Sequence, residues 1–169
     1  MIGEVPRGWL DTSPNPWQGR MMLKLEDLDL DMIASVMQDD GSMGAEYYLD
    51  LDTGDVVLPG FSDDLEIQDI QEGNYVWIDR IESYESYRHM EDFTHALPEG
   101  QARMKLEQAL IRSKPFRHFK ETLNSFPDQR KAWFDFKDEA MREVIVRWLV
   151  SVEAIEDPDP DSESENLQE

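Results

Sequence analysis

From Asp128 to Val152 the apolar residues fall into two neighbouring helical columns, and no other stretch constrains the fold as much. One column runs Trp133, Phe136, Ala140, Val144, Trp148; the other runs Phe134, Met141, Ile145, Leu149, Val152. Steps of three, four and seven keep each column on one face of a 3.6-residue helix. Together they form a stripe wider than the ~100° that one packing partner needs. The pattern predicts a long central helix gripped on two sides. Lys137 projects from within the stripe and is expected to snorkel to its edge or to pair with a carboxylate. Ser125, Pro127 and Asp128 supply the start signal: a capping hydroxyl, a residue whose missing N–H is not needed there, and an acid for the positive helix end.

The same reasoning places the other elements. Ser113 and Pro115 open a shorter helix with Phe116, Phe119 and Leu123 on one side. Ser83 caps a helix carrying Tyr84, Tyr87, Met90, Phe93 and Leu97, and Gln101–Arg112 forms another through Met104, Leu106, Ala109, Leu110 and Ile111. Leu25–Met37 reads as a helix near the N-terminus. Its Asp27, Asp29 and Asp31 imitate the start of a calcium loop, but Met32 stands where glycine is required and Gln38 where the closing glutamate belongs. Glu46–Leu51 and Val56–Leu58 flank Asp52-Thr53-Gly54-Asp55, which reads as a hairpin turn with glycine at positive φ. Asp-Thr-Gly is also the triplet of aspartic proteases; the strand patterns on both sides and the mostly helical chain assign it to the turn. Tyr75–Ile81 alternates as a third strand. The expected fold class is α+β: an N-terminal helix, a small three-stranded antiparallel meander, then a C-terminal bundle of about four helices. The expected divisions are a flexible leader over 1–20, a single domain over 21–152 and a disordered acidic tail over 153–169.

Charge narrows the function. The formal net charge is −22, yet between Arg103 and Arg147 eleven Lys/Arg stand against seven Asp/Glu. A basic helical region thus sits inside an acidic molecule. The chain has no cysteine, which excludes disulfides, thiol nucleophiles and thiolate metal sites. No apolar run approaches the ~18 residues of a membrane span, and the N-terminus lacks a basic-then-apolar signal pattern. The reading is a cytoplasmic protein without membrane association.

Four segments in order, YLDLDTGDVV (Tyr48–Val57), YRHMEDF (Tyr87–Phe93), FRHFKETL (Phe116–Leu123) and WFDFKDEAMREVIVRWL (Trp133–Leu149), resemble a widespread bacterial family of uncharacterised proteins. The resemblance covers roughly Leu23 to Val152. It implies a small intracellular α+β protein and supplies no established activity. Family members usually carry glycines before the FRRFK-like segment, where this chain has Arg112-Ser113-Lys114-Pro115.

Glu91 and His95 stand four apart, as two metal ligands on a helix would, but no HExxH-type motif supports them. Neither a GxSxG elbow, nor a Walker loop, nor a GxGxxG turn is present. No catalytic residue, metal ligand or cofactor is therefore assigned. The candidate binding face is Arg112, Lys114, Arg117, His118 and Lys120. Arg88, Glu91, Asp92 and Arg117 are read as a structural ionic cluster, with Asp92 paired to Arg117 across two helices. The expected function is a non-enzymatic protein-binding or regulatory module, its partner another protein. The alternative is a nucleic-acid-associated protein using the basic face around 112–120; a metal-dependent hydrolase on Glu91, Asp92 and His95 ranks third.

Overall fold

A computed structural model describes residues 22–61 and 65–158; the expected leader lies outside the described residues. A 3₁₀ turn at Leu25–Asp27 leads into α1 (Leu30–Met37), β1 (Tyr48–Asp50) and β2 (Val56–Val57). Then come α2 (Ile67–Glu72), β3 (Tyr75–Trp77), α3 (Ser83–Ala96), α4 (Gln101–Leu110), α5 (Pro115–Leu123) and α6 (Pro127–Ser151). The α+β class is as expected, with four helices closing the chain. No described helix is long and apolar enough to cross a membrane.

The 25 residues of α6 run about 37 Å at 1.5 Å per residue. Its first half, through Trp133 and Phe136, packs with Met90, Phe93, Leu106, Leu110, Phe119 and Leu123 of α3–α5. Its second half, through Met141, Val144, Ile145, Trp148 and Leu149, packs with Ile33, Val36 and Met37 of α1 and Leu49, Leu51 and Ile78 around the sheet. At 3.6 residues per turn the buried arc rotates by roughly a third of a turn between the two halves. The helix is therefore gripped on two sides, but at different levels along its length. Phe134, which heads the second column, is consequently 47% exposed and takes Arg130 over its ring at 5.2 Å.

The bundle core is aromatic. Trp133 meets Phe93 and Phe119 edge-on, with ring centroids 5.3 and 5.0 Å apart, an arrangement that aligns ring edges with the negative faces. The sheet core is mostly aliphatic. In the sheet, β1 is central and antiparallel to both neighbours, giving the order β2-β1-β3 where a meander would have β2 in the middle. Backbone bonds outside the short ladder, from Ile78 N–H to Tyr47 O and from Leu51 N–H to Asn74 O, fix β3 beside β1. The Asp-Thr-Gly segment is a turn held by its own side chains. The Asp50 carboxylate accepts from the N–H groups of Asp52 and Thr53, and Gly54 has φ +85°. A Cβ on Gly54 would lie 2.7 Å from Leu28 Cδ2, so both conformation and space demand glycine.

Several local expectations are corrected. Leu25–Met37 is broken at Leu28, because the Asp29 carboxylate accepts from Met32 N–H and starts α1 afresh. Ser83, Ser113 and Ser125 do not cap: Glu82, Lys114 and Phe126 occupy the cap positions, and none makes a side-chain cap bond. Pro115 and Pro127 at the first helical turn do the work of starting α5 and α6. The ordered body also continues past Val152. Ala154 and Ile155 are buried in the sheet core, and Ala154 O accepts from Leu23 N–H at 2.9 Å. That bond ties the two ends of the domain together.

Candidate functional site

Beside α6, where it passes from one core to the other, lies a cleft of about 320 Å³. Met90 of α3, Phe119 of α5 and Trp133 of α6 reach it from the bundle core; Met37 of α1 and Met141 of α6 reach it from the sheet core. Its polar groups come from three directions: Asp39 and Asp40 after α1, Ser86 and His89 on α3, and Lys120 and Lys137 on α5 and α6.

The electrostatics follow from partial burial. Lys137 is half-buried, and desolvation holds its pKa below the usual 10.5. The ammonium of Lys120 acts in the same direction, and Asp138 opposes both. Among the described residues Lys137 makes no ion pair with a carboxylate; half-exposed in the cleft lining, it fits the other expected outcome, a side chain that snorkels to the edge of the stripe. His89 is also half-buried, and desolvation lowers its pKa from 6.5 against the pull of Glu85, Asp92 and Glu143. Its imidazole is neutral at pH 7, able to donate from one nitrogen and accept on the other. Asp40 sits on the rim with its pKa lowered, first by the backbone N–H of Ser42, which it accepts at 2.8 Å.

An apolar floor with a few convergent polar groups is the composition of a ligand site. Among the described residues no hydrogen bond joins His89 to Ser83, Ser86, Asp39 or Asp40. Nor does any group of three His, Asp or Glu residues among them surround a common point suited to a metal ion.

The candidate binding face is divided by α5. Lys120, with Phe116, opens into the cleft. Arg112 and His118 line a separate depression beside Glu121. Arg117 donates from Nε to Glu121 Oε1 at 3.0 Å, and His118 Nδ1 lies 3.7 Å from the other oxygen of the same carboxylate. Lys114 is exposed at the α5 cap with φ 56° and ψ 57°. That left-handed conformation favours glycine.

The structure divides the four residues of the expected ionic cluster. Arg88 and Asp92 line another cleft with Glu85, Glu143 and Arg147; Glu91 is half-buried elsewhere on α3. No ion pair joins Asp92 to Arg117 among the described residues. The reason is the packing order: α3 packs on α4, α4 on α5, and α6 on both α3 and α5, which leaves α3 and α5 diagonal. The link between α3 and α6 is instead Glu85 with Arg147. The cleft itself escaped the sequence reading. Its trace there was Lys137 inside an apolar stripe, and His89 carried no signal of its own.

The comparisons with known proteins fit this architecture. The model of the uncharacterised protein family UPF0158 matches residues 20–159. The UPF0158 protein PA5073 of Pseudomonas aeruginosa is 30% identical over 126 residues, covering 72% of this chain and 80% of that relative. No solved structure matches. With the family model spanning both cores and the helix that joins them, this chain belongs to the uncharacterised protein family UPF0158.

Proposed function

We propose that the chain is a non-enzymatic regulatory module whose recognition site is the cleft between the two cores and whose output is the engagement of another protein. The observation that supports this reading is the position of the cleft. Side chains of both cores line it, so an occupant touches both at once. A ligand that fits one mutual arrangement of the cores better than another shifts their population by its differential affinity. A protein is the preferred partner because the net charge of −22 repels polyanions at long range. The division of the basic residues by α5 also argues against a continuous phosphate-binding face.

The test is affinity capture from a native cytoplasmic extract, with and without nuclease, using wild type and a cleft-filling Ser86→Trp variant of equal melting temperature. The reading expects a nuclease-resistant protein partner whose recovery changes in the variant. Capture that depends wholly on nucleic acid would instead favour the polyanion reading, and identical recovery by both proteins would remove the cleft from the function.

A further inference from the structure

The cleft brings two lysines together. Lys137 on α6 and Lys120 on α5 line the same cavity, and neither makes an ion pair among the described residues. Two cations converging on a partly desolvated cavity raise each other's electrostatic energy, and a bound anion relieves both. Beside them, Phe116 and Met141 offer apolar surface that a bare inorganic ion would leave unused.

We propose that the cleft binds a small organic anion, its carboxylate or phosphate held between Lys120 and Lys137 and its apolar body laid against Phe116 and Met141. The proposal rests on the cleft being the recognition site. Asp39 and Asp40, which also line the cleft, disfavour a second negative group, so the ligand carries a single anionic group. His89, neutral at pH 7, adds a hydrogen bond without adding charge. Ammonium groups suit this task because they act as point charges that accept either anion geometry. Lys137 has a lowered pKa and is faced by Lys120 from α5, His89 from α3, Asp39 and Asp40 from the loop after α1, and Asp138 on its own helix. Binding therefore weakens as pH rises through the alkaline range in which Lys137 loses its proton, sooner than for an ordinary lysine.

Phenyl phosphate is the probe, with inorganic phosphate and phenol as its two halves, titrated into the full chain while tryptophan fluorescence and heat are recorded. Saturable binding of phenyl phosphate, tighter than that of either half, is expected. Lys137→Met and Lys120→Met should each weaken it roughly tenfold to a hundredfold, the loss of one charge-assisted hydrogen bond. Lys137→Arg should restore most of it. Equal binding by wild type and both methionine variants, or none at millimolar probe, would overturn the proposal. If that happens while Ser86→Trp still changes partner recovery, only the ligand class falls. If Ser86→Trp is also silent, the cleft reading falls with it.

Discussion

The two cores strung along α6 are built from different material and from different lengths of chain. The bundle core is aromatic and local: its buried members run from Met90 to Trp133 without a break in element order. The sheet core is aliphatic around one tryptophan, and it joins residues 28–78 to residues 141–155. A local core closes short loops, whereas a core assembled from both ends must first close a long one. The bundle can therefore form early and hold α6 in place, while the sheet core completes only when Leu23 meets Ala154. The cleft lies where two separately packed regions fail to merge, and their unlike demands explain why a lysine is tolerated there.

The largest effects should come from the tryptophan at each centre. Trp133→Ala removes a ring that touches Phe93, Phe119 and Phe136 and is expected to destabilise by about 3–5 kcal/mol in chemical denaturation. Trp148→Ala should cost a similar ~3–5 kcal/mol. Trp148→Phe separates the two sites, because the Trp148 indole N–H is buried without an acceptor among the described residues. Losing an unsatisfied N–H offsets part of the packing lost with the smaller ring, so Trp148→Phe should cost about 2 kcal/mol at most, well under the alanine value.

Next in size is the end of the chain. Ending it at Val152 removes Ala154 and Ile155 from the sheet core and should cost about 2–4 kcal/mol, while ending it at Pro158 should leave the melting temperature unchanged. This boundary was hidden in the sequence, since two apolar residues preceding Glu156, Asp157 and Pro158 look like the start of a polar tail. The bundle was far more legible. Its helices carry their periodicity locally, as Phe119 and Leu123 show, although Phe116 on the same expected side is 39% exposed, and Pro115 and Pro127 mark two helix starts. Strand order was not legible, because pairing β3 with β1 depends on contacts across the whole N-terminal segment. The cleft was invisible for the same reason. Its walls come from α1, α3, α5 and α6, and no local window contains all of them.

Smaller effects probe the joint. Lys137→Met should stabilise the free protein by less than about 1 kcal/mol, because water still screens a half-buried charge. The sign follows from the lowered pKa: the charged lysine is penalised in the folded state at neutral pH, and the penalty fades as pH rises through its folded pKa toward 10.5. The advantage of Lys137→Met should thus shrink in the alkaline range; a gap that widens with pH would contradict the assignment. Smallest of all is Glu85 with Arg147, which spans α3 and α6 at a largely exposed position. A double-mutant cycle of Glu85→Gln and Arg147→Gln should give coupling of about 0.2–1 kcal/mol.

The central claim is that one helix carries two cores that are packed separately and meet at the cleft. Residue-resolved native-state hydrogen exchange on wild type and Ile33→Ala tests it most directly, since Ile33 is fully buried in the sheet core alone. The account predicts that amides of α1, β1 and the second half of α6 lose protection, while those of α4, α5 and the first half of α6 keep their wild-type rates. An equal loss of protection across both halves would show one cooperative core and contradict the claim.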